Sequence, residues 1–205
     1  MIMQYFILMK PKRKIIIGVD EAGRGPWAGP VVAASVLVKS ISKQYEYYSQ
    51  IKDSKKLSEQ KRQSLLDSLI NDNNIEYYYS VISNKVIDDK NILEATKIAM
   101  INCLNQYNSE YDEILIDGNQ NVDFKNPVKT LVGGDNLIFE ISAASIIAKQ
   151  IRDNLMLEYD AKYPEYGFKK HKGYGTKLHR EALFKYGPSP IHRFSFKPIK
   201  NLSLA

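Results

Sequence analysis

At 205 residues, with 44% hydrophobic and 25% charged residues, the chain is long enough for one well-cored domain and too short for two full catalytic ones; collagen, a disordered polymer and a disulfide scaffold are excluded. A lone Cys103 leaves no intramolecular disulfide and no multi-cysteine zinc site, and fits a reducing, cytoplasmic compartment. The formal net charge of +6 hints at a polyanionic partner, although basic proteins are common and the global figure decides little.

In chain order, residues 1–13 form an N-terminal extension. Its apolar run is far shorter than a membrane span, and its positive charges follow that run, unlike a signal peptide. A loose extension, or a start placed too early before Met9, is the expectation. Lys14 to Asp20 is a β-branched run ending in an acid, and Pro30 to Lys39 is a second strand after a Gly-rich turn; both read as buried. Ser58 to Asn71 has helical spacing through Leu65, Leu66, Leu69 and Ile70, with Ser58 as a cap. Glu76 to Ser83 reads as a strand. Asn91 starts a longer helix, with Glu94 in the capping-box position and a stripe through Ile92, Thr96, Ala99, Met100, Cys103 and Leu104 that reads as core. Glu113 to Asp117 and Pro127 to Val132 are short strands. Glu140 to Ala161 is helical, and Thr176 to Tyr186 makes a last helix stopped by Gly187 and Pro188. The order predicts a mixed α/β sheet covered by helices.

The charge is uneven. From Lys169 onward there are nine Lys and Arg against one acid, Glu181, and all three histidines lie there, whereas the first 168 residues hold 20 basic and 22 acidic residues. A charge run is commonly a solvated face; interleaved Phe168, Tyr174, Phe184, Tyr186, Phe194 and Phe196 favour contact with a polyanion whose bases or sugars stack.

Three acidic positions follow apolar strands and meet glycine: Asp20-Glu21, Asp117 and Asp135. Strand ends converge at the crevice where α/β sheets bind ligands. Four converging carboxylates repel unless cations neutralise them, and oxygen-only ligands select Mg²⁺ or Mn²⁺. Taken singly, each acid reads as a turn residue or helix cap. Taken together beside a basic face, they make metal-dependent phosphodiester chemistry competitive. Gly23 and Gly25 flank Arg24, so backbone groups can approach a substrate while Arg24 meets a phosphate.

The stretches DEAGRGPWAGPVVAA (20–34), DSKKLS (53–58), LIDGN (115–119), GGD (133–135), ISAASIIAKQIRD (141–153) and HKGYGT (171–176) resemble ribonuclease HII, the type 2 ribonuclease H, in order and approximate spacing from about Ile15 to His192. The resemblance implies a ribonuclease H-like fold: a five-stranded mixed sheet flanked by helices over residues 14–162, followed by a helical, basic substrate-binding segment, 163–205, packed on the same domain. It places the catalytic, metal-binding acids at Asp20, Glu21, Asp117 and Asp135, with a two-metal Mg²⁺ or Mn²⁺ site. It implies cleavage of the RNA strand of RNA–DNA hybrids and nicking 5′ of single ribonucleotides in duplex DNA, leaving 3′-OH and 5′-phosphate ends.

By the same resemblance, Gly23, Arg24 and Gly25 sense the ribose 2′-OH, Tyr174 stacks on the next deoxyribose, and Lys55 and Lys56 contact phosphate. Asp153 is either an acid near the metals or a partner for Arg152, with the structural role favoured. The small residues Ser142 to Ser145 allow close helix packing under the site. Trp27 replaces a smaller apolar residue, and Glu140 either modulates the metals or caps the following helix. A monomer without membrane attachment is the default. The tail from Asn201 carries no recognisable clamp-binding motif, so recruitment by a sliding clamp has no support in the residues. The rivals are a type 3 ribonuclease H, which usually adds an N-terminal domain and recognises isolated ribonucleotides poorly, and a noncatalytic hybrid-binding module, which gains nothing from four acids without metals.

Overall fold

The computed structural model describes residues 14–40, 47–51 and 57–202. Five strands, β1 (Ile16–Ala22), β2 (Val31–Val38), β3 (Ile75–Ile82), β4 (Glu113–Asp117) and β5 (Val128–Leu131), form one sheet in the order β3-β2-β1-β4-β5. β1 pairs antiparallel with β2 and parallel with β4; β2 and β3 are antiparallel, and β4 and β5 parallel. This is the expected five-stranded mixed sheet.

Both faces are covered, which explains why all eight residues of β2 are buried. Val31, Ala33 and Leu37 point to one core, with Ile17 and Val19 of β1 and with Ala95, Ala99, Met100, Cys103 and Leu104 of α3 (Asn84–Leu104). Val32, Ala34, Val36 and Val38 point to the other, filled by Leu65, Leu66 and Leu69 of α2 (Glu59–Ile70) and Ala143, Ala144, Ile146 and Ile147 of α4 (Phe139–Lys162). Ser58 caps α2 as expected, its side chain accepting from Lys61 N. A one-turn helix, Tyr47–Gln50, precedes α2 as α1.

The helix expected from Asn91 begins earlier, at Asn84, and breaks at Asn91 (φ 68°, ψ 166°). There Asn91 Oδ1 accepts from Leu93 N at 2.9 Å and Glu94 N at 3.1 Å, so Asn91 does cap the longer portion. Glu94 does not close a capping box: its carboxylate meets Lys97 at 2.9 Å.

α4 lies against β1 with no side chain between them at Gly18. A Cβ there would fall 2.3 Å from Glu140 C and Ile141 N. After α4 come a short 3₁₀ turn, Pro164–Tyr166, and helices α5 (Phe168–His171), α6 (Lys177–Tyr186) and α7 (Lys197–Leu202). These share a third buried cluster, Met156, Tyr166, Phe168, Ala182, Leu183, Ile191 and Ile199, with Ala28 of the Gly-rich turn. Thr176 caps α6, accepting from His179 N, and Gly187 ends it. Among the described residues no helix is long and apolar enough to cross a membrane.

Candidate active site

The central pair of parallel strands sets the acids side by side. Val19 pairs with Ile116, so Asp20 and Asp117 follow on adjacent strands, with Glu21 next along β1. Beyond β5, Gly133 takes a left-handed conformation (φ 71°) that starts the 3₁₀ turn Gly134–Asn136. That turn sends Gly134 N to Asp117 Oδ1 at 2.7 Å and buries Asp135 completely. Asp135 Oδ1 accepts from Asn136 Nδ2 at 2.9 Å, and its carbonyl accepts from Ser142 Oγ of α4.

Burial, then the charges of Glu21 and Asp117, push the Asp20 carboxyl well above the usual carboxylate range; hydrogen bonds from Glu21 N and Ser145 oppose this. Burial also raises Glu21, against the opposing pull of Arg24, whose Nη1 lies 3.2 Å from Glu21 Oε1. Among the described residues no group of three or more acids, histidines or cysteines is arranged to hold a metal ion. The donor set fits a divalent cation nonetheless: it is all carboxylate oxygen, and like charges crowd a buried Asp20 that a hard cation would relieve.

The Gly-rich turn is held from below. Arg193, wholly buried, donates from Nε to Gly29 O (3.0 Å), from Nη1 to Arg24 O (2.9 Å), and from Nη2 to Gly23 O (2.6 Å) and Pro30 O (3.1 Å). Arg152 of α4 donates from Nε to Pro30 O at 3.0 Å and from Nη2 to Ala28 O at 3.2 Å. Burial lowers these guanidiniums to about 9 for Arg193 and about 10 for Arg152, both still cationic at neutral pH. Gly23, at φ 98°, is required here: a Cβ would lie 2.1 Å from Arg152 Nε. Backbone pairing joins the same turn to the C-terminal segment, through Gly29 N to Ile191 O (2.9 Å) and Arg193 N to Trp27 O (2.8 Å).

A recess of about 270 Å³ opens beside the acids, lined by Glu21, Gly23, Arg24, Gly25, Lys149 and Tyr174 among others. Tyr174 is 48% exposed. The structure thus brings Gly23, Arg24, Gly25 and Tyr174 to one opening next to the acids. Lys55 and Lys56 lie outside the described residues. Trp27 does not enter the recess; it packs against Gly175 and over His179, with ring centroids 5.7 Å apart.

Of the α4 residues at the site, Lys149 carried no expectation from sequence, and the contacts of Ser145, Arg152 and Asp153 go beyond those expected. Ser145 reaches Asp20, Lys149 lines the recess, Arg152 holds the turn, and Asp153 is buried. Positions 145, 149, 152 and 153 share one helix face, and that shared polar face was the available signal. Asp153 pairs with Lys149 Nζ at 2.6 Å and Arg62 Nη2 at 3.5 Å, and its charge also acts on Arg152, whose hydrogen bonds go to the carbonyls of Pro30 and Ala28. Glu140 is buried in the first turn of α4, which has no side-chain cap.

The family model described as Ribonuclease HII matches residues 17–199. The chain belongs to the ribonuclease HII family. Ribonuclease HII of Francisella tularensis subsp. novicida (strain U112) is 49% identical over 188 residues, covering 92% of this chain and 99% of that protein. The ribonuclease HII of F. tularensis subsp. tularensis (strain SCHU S4 / Schu 4) is 48% identical over the same length, covering 92% and 98%. Among solved structures, ribonuclease H2 from Pyrococcus horikoshii OT3 superposes with a TM-score of 0.77 at 27% identity, over 93% of this chain and 97% of that one. Bst-RNase HIII in complex with Mn²⁺ shares the fold (TM-score 0.65, 16% identity, 93% of this chain and 70% of that one). The ribonuclease H-like fold and membership of a family of RNA–DNA hybrid nucleases follow.

Proposed function

We propose that the chain is a divalent-metal-dependent endonuclease that cuts the RNA strand of RNA–DNA hybrids and nicks duplex DNA on the 5′ side of a single embedded ribonucleotide, leaving 3′-hydroxyl and 5′-phosphate ends. The observation that carries this reading is the convergence of Asp20, Glu21 and Asp117 at adjacent strand ends, beside a recess walled by Gly23–Gly25 and Tyr174.

Asp20, Glu21, Asp117 and Asp135 would hold Mg²⁺ or Mn²⁺, with the scissile phosphate completing the ligands. Bound there, a pair of cations would lower the pKa of an attacking water and neutralise charge on the leaving 3′-oxygen. The chain's own residues do the selecting. Because Arg193 and Arg152 occupy the carbonyls of Gly23, Arg24, Ala28, Gly29 and Pro30, the turn is fixed in one conformation, and its Gly23–Gly25 backbone borders the recess at close approach for a ribose 2′-OH. Tyr174 lies across the recess, where its ring meets the following sugar and disfavours a second 2′-OH. Lys149, held by Asp153, supplies positive charge to the phosphate backbone.

Asp20→Asn removes the most deeply buried charge of the strand pair. Cleavage of an RNA–DNA hybrid with Mg²⁺ is expected to fall by about 10³-fold or more, while hybrid binding by fluorescence anisotropy stays the same or tightens. Wild-type cleavage by Asp20→Asn would show that the acids are misassigned.

A further inference from the structure

The three histidines sit buried together behind Tyr174, and none belongs to the acid cluster. His171 and His179 stack with ring centroids 4.5 Å apart at 15°, and His179 Nε2 lies 2.9 Å from His192 Nε2. Their hydrogen-bond partners assign one tautomer to each ring. Ser189 N, always a donor, lies 2.8 Å from His192 Nδ1, closer than the 3.3 Å from Nδ1 to Ser189 O, and Ser189 Oγ at 2.8 Å can donate there too; we therefore assign Nδ1 as the acceptor and place the proton of neutral His192 on Nε2. His192 Nε2–H then donates to His179 Nε2, which leaves the His179 proton on Nδ1. From there it donates to the carbonyl of Tyr174 at 3.0 Å. His171 closes the set separately, accepting from Gly173 N at Nδ1 (3.2 Å) and donating from Nε2 to Tyr166 O (2.9 Å).

We propose that Ser189, His192 and His179 form a neutral hydrogen-bond relay that positions Tyr174 for the ribonucleotide-to-deoxyribonucleotide junction. His179 and His192 are positioning residues, acting through the Tyr174 backbone. The relay rests on the reading of Tyr174 as the residue that meets the sugar after the ribonucleotide. Three further features support it. The relay runs in one direction and ends on Tyr174, the residue of HKGYGT that lines the recess. Burial keeps both imidazoles neutral, lowering each to about 4. The groups around them are aromatic or neutral: Trp27 packs on His179, Phe168 on all three rings, and Tyr166 on His192. A second proton on His179, at Nε2, would face the His192 Nε2–H at 2.9 Å, and a second proton on His192, at Nδ1, would face the Ser189 N–H at 2.8 Å.

The test compares cleavage of a DNA duplex carrying one ribonucleotide with cleavage of a uniform RNA–DNA hybrid, as a ratio of kcat/KM values, in Tyr174→Ala, His179→Gln and His179→Asn. Asn places an amide N–H where His179 Nδ1 sits and keeps the hold on the Tyr174 carbonyl; Gln keeps only the acceptor for His192. The ratio is expected to fall about tenfold in Tyr174→Ala and in His179→Gln, and to stay within about threefold of wild type in His179→Asn. A merely structural role would depress both substrates together and would not separate Gln from Asn. If Tyr174→Ala lowers the ratio and His179→Gln does not, the relay is overturned while the reading of Tyr174 stands. An unchanged ratio in Tyr174→Ala overturns that reading and the relay with it. ¹⁵N NMR of the wild-type rings gives a check independent of variant folding: His179 is expected as the Nδ1–H tautomer, opposite to His171 and His192, and Nε2–H at His179 would overturn the relay.

Discussion

Buried ionisable side chains at single positions give the protein an acid-sensitive interior. His179 and His192 are held at about 4 by burial, against about 6.5 in an unfolded chain. Between those values the unfolded state takes up protons that the folded state refuses. Their contribution to stability is therefore complete above pH 6.5 and lost as pH falls towards 4. One such imidazole costs about 2 kcal/mol at pH 5. Asp20 and Glu21 work in the opposite sense, since their raised carboxyls favour folding as pH falls. Urea unfolding at pH 7 and pH 5 separates the two: wild type is expected to lose more stability on acidification than His179→Gln, in which the slope is flattened. None of this was legible in the sequence. Residues 171, 179 and 192 share no helix or strand period, and only the turns at Gly173 and Ser189 bring their rings together.

Among the elements, α4 links most of the site. Its first turns press on β1 at Gly18, Ser145 reaches Asp20, and Arg152 holds the Gly-rich turn two helical turns further on. Gly18→Ala would drive a methyl group into the α4 backbone and is expected to destabilise the fold by about 2–3 kcal/mol, measured by urea unfolding; an unchanged midpoint would mean that helix and strand can separate freely. The small residues of ISAAS were legible as a close-packing face, but the partner, a glycine inside a β-branched strand, was not, because Gly18 reads equally as a weak point in a strand. The kink at Asn91 was half legible. Its capping side chain follows from sequence, whereas the additional helical turns from Asn84 are capped by Ser83, whose side chain accepts from Val86 N, and are held by contacts made only in the folded protein: Asn84 Nδ2 donates to Pro190 O (3.0 Å) and His192 O (2.9 Å), and Asp88 accepts from Ser195 N (2.8 Å).

Over the whole molecule, the basic C-terminal segment divides into two roles. Lys170, Lys177, Arg180 and Lys185 face solvent, with Phe184 exposed among them, whereas Arg193 and all three histidines are interior, Arg193 holding the Gly-rich turn and His179 meeting the Tyr174 carbonyl. The charge asymmetry in the sequence counted Arg193 with the surface charges, but the structure buries it. Replacing Lys170, Arg180 and Lys185 together with Gln is expected to weaken hybrid binding and to reduce the slope of log K against log salt by up to about 2–3, measured by anisotropy across a salt series. The five-stranded mixed sheet was legible through the family motifs, and the adjacency of Asp20 and Asp117 through their place at the ends of apolar strands. The hydrogen bonds of Arg193 and Arg152 were not, since residues more than 120 positions apart meet only after the sheet has formed. The decisive measurement is to incubate the wild-type protein with a DNA duplex holding one ribonucleotide, with Mg²⁺ or Mn²⁺ and with chelator, and to map the ends. A single metal-dependent nick on the 5′ side of the ribonucleotide, with 3′-hydroxyl and 5′-phosphate ends, is expected. An intact duplex beside a cleaved hybrid, or a nick that persists in chelator, would contradict it.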